Sequence, residues 1–339
     1  VVAGIGRFTE TVYTQEQIKS SVQAHLSKYL VTRDANLVLD KCDLFGEVFT
    51  KDWQKFTSNL SPHQTKAFKG LSIDHGLTVI NGCVASAKTH VALIAAACAI
   101  ENPKKPHKVL CTVETNFGVD SAAKALEEIL SKSSKPRTII RLLPQKAEIA
   151  LVVSKVVTPK FRTNFEQSDE LVASFLGEAE THLYDLAERT NDQRRLGDKR
   201  RTAAIRNLTL GEVMWAELTT GEGKKKFKQI RALLEDFKAN PNRHVSDEKT
   251  LQALLSQLAS YCIDKADAIV CTISNALKPS FINMVSPQIN FAIIDEAGKV
   301  GHAAFLSLIA SYDPVTWVLD GDEKQQVGIP ALILSPFAD

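Results

Sequence analysis

Two adjacent side chains, Lys88 and Thr89, close a short loop of residue types suited to holding phosphate: Gly82, Cys83, Val84, Ala85, Ser86, Ala87. An apolar stretch at 77–80 precedes the loop, and a second apolar run at 91–100 follows it. Strand, tight loop, Lys-Thr and helix are the parts of a P-loop, in which backbone N–H groups and a helix N-terminus cradle phosphate oxygens. The lysine reaches terminal phosphates as a point charge, and the threonine hydroxyl can ligate magnesium. His90, the next residue, would open the helix beside them. The pattern G-x-x-x-x-G-K-[ST] asks for glycine where this chain has Ala87.

A pair of carboxylates, Asp295 and Glu296, follows the apolar run 291–294. Carboxylates at the carboxyl end of a buried strand lie where open α/β sheets bind their ligands. There Asp295 would hold magnesium and Glu296 would orient and deprotonate an attacking water. The run 316–319 repeats the arrangement and leads to Asp320, Gly321, Asp322 and, three residues further, Gln325. The glycine lets the backbone turn sharply, and Gln325 could reach a terminal phosphate or its water.

These groups need a scaffold that brings distant loops to one edge. Short β-rich runs at 77–80, 108–112, 138–142, 268–272, 291–294 and 316–319 alternate with helical patterns, which argues for an α/β fold with a parallel sheet and crossover helices. Between 145 and 264 that rhythm stops and charged helical patterns replace it. We therefore expect an N-terminal helical segment at 1–59, the first part of an ATP-binding α/β domain at 60–144, a helical insertion at 145–264, and the second part of the α/β domain at 265–339. Within the first segment, the apolar spacing predicts helices over 14–30 and 36–56.

With 44% apolar and 24% charged residues, the 339-residue chain has the composition of a globular protein able to bury a core. A net charge of +2 gives no global pull on polyanions, so any such binding must come from local clusters. The stretch 189–231 carries twelve Lys or Arg against five Asp or Glu, with clusters at 199–201 and 224–226. One basic face there would suit a phosphate backbone; two helices of opposite charge meeting at the surface would explain it equally. Trp215 and Phe227 are the aromatic residues available there for base stacking, with packing the expected job for Trp215. Six cysteines lack any C-x-x-C pair and fall mostly in apolar runs, as buried thiols do. The longest apolar stretch is about half of a membrane span, so no membrane partner is expected. With no signal peptide in view, an intracellular protein, cytoplasmic or nuclear, is expected. A start at Val1 without methionine is what a fragment of a longer chain would show.

The motifs in order resemble the first RecA-like domain of a superfamily 1 helicase, the branch typified by the RNA helicase of nonsense-mediated decay. Residues 60–64, ending in Gln64, are similar to the Q motif, whose glutamine reads adenine. Residues 109–120 resemble motif Ia, with Asn116 on the nucleic-acid backbone, and 266–274 resemble the following strand motif, with Thr272 and Ser274 on the same face. Asp295 and Glu296 match motif II; Gly321, Asp322 and Gln325 match motif III. The resemblance covers 60–144 and 265–330 and implies a P-loop RecA-like fold, ATP and Mg²⁺ as ligands, a single strand of RNA or DNA as partner, and ATP-driven helicase chemistry. It assigns catalysis to Lys88, Glu296 and Gln325, nucleotide contacts to Gln64, residues 82–90 and Asp322, and metal binding to Thr89 and Asp295.

It also implies a second RecA-like domain that completes the ATP cleft with arginines. Only seventeen residues follow Asp322, so that partner is expected outside this chain, which would then neither unwind nor translocate alone. Two departures from the pattern are Ala87 and the stretch after Gln325, where Gln326, Val327 and Gly328 replace an apolar residue and prolines. They keep open an alternative, a degenerate P-loop module acting as a nucleotide-binding or protein-interaction scaffold. A different P-loop enzyme, such as a small-molecule kinase, would explain Lys88 and Thr89 but leave Gln64 and Asp322 without a role.

Overall fold

The computed structural model describes residues 42–43, 51–71, 73–74, 76–83, 86–102, 106–143, 148, 152, 208–220, 222–239 and 245–322. In chain order the elements are β1 (Cys42–Asp43), α1 (Lys51–Thr57), α2 (Pro62–Gly70), β2 (Ile73–Asp74), β3 (Leu77–Asn81), α3 (Lys88–Ile100), β4 (Lys108–Val113), α4 (Asn116–Leu130) and β5 (Ile139–Arg141). There follow α5 (Leu210–Thr219), α6 (Gly223–Lys226), α7 (Lys228–Ala239), α8 (Val245–Lys265), β6 (Ala268–Thr272), α9 (Ile273–Ala276), α10 (Pro279–Val285), β7 (Ile289–Ile294), α11 (His302–Ser311) and β8 (Thr316–Gly321). The chain divides into two compact units, one formed by 1–139 with 267–339 and the other by 140–266.

The first unit is built on a six-stranded sheet of order β3-β8-β7-β4-β6-β5, with the β3–β8, β8–β7, β7–β4 and β4–β6 pairs all parallel. Strands β4, β6, β7 and β8 read as continuous apolar runs because both their faces are covered. The α3 sequence is apolar all round, and every residue from Val91 to Ile100 is buried, as a helix enclosed by other elements must be. Helix α4 is amphipathic instead: Val119, Ala122, Ala123, Leu126, Ile129 and Leu130 recur at three- and four-residue spacing and face the core. Thr115 caps it, its hydroxyl accepting from the Gly118 N–H.

The sheet order has one consequence for everything that follows. Strands β3 and β4 are consecutive in the sheet's chain order but are separated in space by β8 and β7. Such a reversal opens a crevice at the carboxyl ends of the strands, where α/β folds receive ligands. The loop after β3, Asp295 after β7, and Asp320 to Asp322 at the end of β8 all lie at the carboxyl ends of this group.

All six strand runs expected from the sequence are strands, with ends shifted by one or two residues, as boundaries usually are. The expected helix over 36–56 is corrected. Cys42 and Asp43 form a strand antiparallel to Ile73 and Asp74, and among the described residues of this range a helix runs from Lys51. A two-residue pairing across thirty positions is a tertiary event without a local sequence signature. The helix expected over 14–30 lies outside the described residues.

The second unit contains α5 to α8, with a core that includes Leu210, Met214, Leu218, Phe227, Ile230, Leu234, Leu255, Leu258 and Cys262. Phe227, expected as a base-stacking candidate, is buried and packs edge-on against Tyr261 at 5.5 Å between ring centroids. Its ring is therefore occupied by the core. Met214 is buried and Trp215 half-buried on α5, in keeping with packing. Lys226 lies over the Tyr261 ring at 4.5 Å, and Lys265 approaches the same ring at 4.5 Å while pairing with Glu222 and Glu217. The cluster at 199–201 lies outside the described residues. Glu148 is buried, its carboxylate accepting from the Leu143 N–H at 2.6 Å and the Gly211 N–H at 2.7 Å. Burial outweighs those bonds and lifts its carboxyl to about 7.

Candidate nucleotide site

Strand β3 delivers the chain to Gly82, whose N–H donates to the Gly321 carbonyl at the end of β8, 3.2 Å away. The loop then folds tightly: a side chain at Gly82 would place its Cβ 2.8 Å from Ser86 Oγ and 3.3 Å from Lys88 Cδ. Within it, the Ser86 N–H donates to the Cys83 carbonyl. Val84 and Ala85, expected to cradle phosphate, lie outside the described residues.

Ala87 turns the loop into α3. Its backbone is left-handed, with φ 59° and ψ 37°, a region that costs a residue with a Cβ about 1–2 kcal/mol. The glycine of the P-loop pattern would adopt it freely, so the departure at this position is a local backbone strain. Lys88 then starts α3 and folds back over the loop, Nζ donating to the carbonyls of Gly82 at 2.8 Å and Cys83 at 2.9 Å. Its ammonium thus hangs at the mouth of the loop. Cys83 is exposed there. His90 follows on the first turn of α3, its imidazole pKa pushed below the ordinary value by desolvation and then by Lys132.

Asp295 leaves the end of β7, fixed by its N–H donating to the Thr112 carbonyl at 2.9 Å, while the Thr112 hydroxyl donates to the Ile293 carbonyl at 3.0 Å. Its side chain is buried, and Oδ1 accepts from Thr89 Oγ1 at 2.7 Å. Thus the two expected metal-binding residues, 206 positions apart, meet. Glu296 comes next with a left-handed backbone of φ 53°, and its exposed carboxylate pairs with Lys299. Among the described residues Ala87 and Glu296 are the non-glycine residues with positive φ. One immediately precedes Lys88 and the other immediately follows Asp295, so backbone strain gathers around a single locus.

Other expected residues fall into three groups. Gln64 sits on the loop: Nε2 donates to the Ser86 carbonyl at 3.2 Å, while Oε1 accepts from the Ser61 N–H and Ser61 Oγ accepts from the Gln64 N–H, closing a capping box on α2. Asp322 follows β8, half-buried, next to the turn at Gly298. Gln325 lies outside the described residues. Asn116 and Ser274 are exposed, after β4 and β6 respectively, on the carboxyl edge of the sheet. Thr272 is largely buried and caps α9, its hydroxyl accepting from the Asn275 N–H and sharing a bond of 3.1 Å with Ser274 Oγ.

Asp320 has no role in the motif as read from the sequence. It lies on β8, between β3 and β7, at the register position of Ile80. It is 1% exposed, and neither carboxylate oxygen reaches a donor in hydrogen-bonding geometry. Burial raises its pKa well above the ordinary carboxylate range, and the neighbouring Asp295 raises it further against the pull of Lys88. The signal was present as a carboxylate ending an apolar strand run, one residue ahead of the glycine that marked the motif.

A strand-loop-helix with Lys88 and Thr89 at its close, bonded to a carboxylate that ends a neighbouring parallel strand, defines a P-loop nucleotide-binding domain of RecA-like α/β architecture. A family model described as AAA domain matches residues 59–336, and the chain belongs to that family, whose members are helicase-like P-loop ATPase domains of the superfamily 1 class. No curated protein matches the chain at a significant level. Among the described residues no helix is long and apolar enough to cross a membrane.

Proposed function

We infer that this chain binds ATP with Mg²⁺ and forms the nucleotide-holding half of an ATP-driven nucleic-acid helicase or translocase. The contact that carries the reading is Thr89 Oγ1 to Asp295 Oδ1, because it joins the phosphate loop to the acidic strand end. Lys88, held on two loop carbonyls, has a charge to offer a polyphosphate at the site where those carbonyls now hold it. The donor set fits a hard divalent cation. Thr89 supplies a hydroxyl and Asp295 a buried carboxylate, and Mg²⁺ takes one or two carboxylates together with waters and substrate phosphates. Once bound, the cation neutralises charge on the phosphates.

In this reading Glu296 orients and deprotonates the attacking water from its exposed position, after release from Lys299. Gln64 transmits the occupancy of the base pocket to the loop through its bond to Ser86. Gln325 remains the proposed γ-phosphate sensor, and a second RecA-like domain the proposed source of transition-state arginines. Exposed Asn116 and Ser274 support a track for a single strand of RNA or DNA along the carboxyl edge. Thr272 positions Ser274 through its cap and their shared bond.

The helicase part of the reading is tested by the anisotropy of fluorescein-labelled U and dT 20-mers. Binding at low salt that weakens steeply as salt rises, and falls on Asn116→Ala, supports it. Absence of binding at low salt with ATP analogue present would contradict it and favour the scaffold alternative.

A further inference from the structure

Among the described residues Asp320 is a buried carboxylate that the nucleotide site as built above does not use. Asp320 stands at the carboxyl end of β8, the strand lying between the one that feeds the phosphate loop and the one that delivers Asp295. The β7–β8 register runs Ile293 opposite Val318 and Ile294 opposite Leu319, so one step further sets Asp295 opposite Asp320. On neighbouring parallel strands, residues in register present their side chains to the same face of the sheet. Asp295 uses that face to accept from Thr89. Asp320 is buried beside it at the end of the neighbouring strand.

A carboxylate buried without a hydrogen-bond donor is among the most costly arrangements a folded chain can carry. A site normally offsets that with a cation or a bonded partner, and Asp320 has two bare oxygens. Gly321 adds to the argument. A side chain there would bring Cβ to 3.3 Å from the Gly298 backbone nitrogen, so the strand next to Asp320 packs closely against the turn that follows Asp295 and Glu296.

We propose that Asp320 is a second carboxylate for the divalent cation, forming with Asp295 and Thr89 a site that takes Mg²⁺ or Mn²⁺ before any nucleotide arrives. This deepens the nucleotide-site reading and rests on it for the cation's role in function. Two carboxylates and a hydroxyl make an open site, completed by water until phosphate oxygens replace it. Among the described residues no group of three or more His, Cys, Asp or Glu converges, so no closed structural metal cage competes with this assignment.

The test is titration of the nucleotide-free chain with Mn²⁺, following the loss of the free-ion signal by electron paramagnetic resonance. One Mn²⁺ per chain is expected, with affinity reduced about tenfold or more in Asp320→Asn and in Asp295→Asn. Binding of a fluorescent ATP analogue by the unaltered chain in metal-free buffer is measured alongside, which separates this proposal from the nucleotide reading. Unchanged Mn²⁺ affinity in Asp320→Asn would overturn the proposal, as would an unaltered chain that takes no Mn²⁺ without nucleotide. Loss of analogue binding by the unaltered chain would count against the nucleotide reading instead, leaving the Mn²⁺ result to decide the role of Asp320.

Discussion

The hydroxyl of Thr89 donates to Oδ1 of Asp295 at 2.7 Å, joining the second residue of α3 to the end of β7 across 206 positions of sequence. This bond closes the phosphate loop against the acidic strand end. Thr89→Val keeps the side-chain volume and removes both the donor and the proposed cation ligand. Its Mg²⁺-dependent gain in ATP affinity should fall about tenfold, while affinity in metal-free buffer stays near that of the unaltered chain. Calorimetric titration with and without Mg²⁺ separates the two quantities.

Ala87 holds its left-handed backbone against the preference of any residue with a Cβ. Ala87→Gly should raise stability by about 1 kcal/mol, the relief of strain exceeding the extra chain entropy that glycine brings to the unfolded state. Guanidinium denaturation measures it as a higher midpoint at unchanged slope. A lower midpoint would show that the loop does not resent the methyl.

Gly118 sits on the first turn of α4, where an added Cβ would overlap Val113 Cγ1 at the end of β4. Gly118→Ala should cost about 1–3 kcal/mol through overpacking and shift the exposed start of α4, including Asn116. Thermal unfolding reports the first effect and oligonucleotide affinity the second.

In the second unit, the carboxyl of Glu148 has a folded-state value near 7 against 4.5 for a free glutamate. Between those values the folded state holds the proton that the unfolded state has released, so stability falls as pH rises from about 4.5 to 7 and levels off above. The full span corresponds to roughly 3 kcal/mol. Hydrogen exchange at the Gly211 and Met214 amides, corrected for intrinsic rate, should show this slope in the unaltered chain and lose it in Glu148→Gln.

Much of this was legible in the sequence, and the reasons are physical. Parallel strands buried on both faces announce themselves as apolar runs, so all six were found, with Asp295 at the end of one of them. Helix α3 was equally plain because its apolar run leaves no polar face. What stayed hidden depends on contacts between distant residues. Nothing local marks the pairing of Cys42 with Asp74, the edge-on contact of Phe227 with Tyr261, or the bond from Gln64 to Ser86. Asp320 was visible as a residue, but only the strand order shows that it faces Asp295 between β3 and β7.

The central claim is that the loop ending in Lys88 and Thr89 holds a nucleoside triphosphate. Fluorescence titration of the purified chain with an ATP analogue and Mg²⁺, alongside Lys88→Ala, tests it most directly. The account predicts saturable binding that ATP competes away and that Lys88→Ala weakens by about tenfold or more, the loss of a charge-assisted phosphate contact. Absence of binding at about millimolar analogue, or equal affinity in Lys88→Ala, would contradict it.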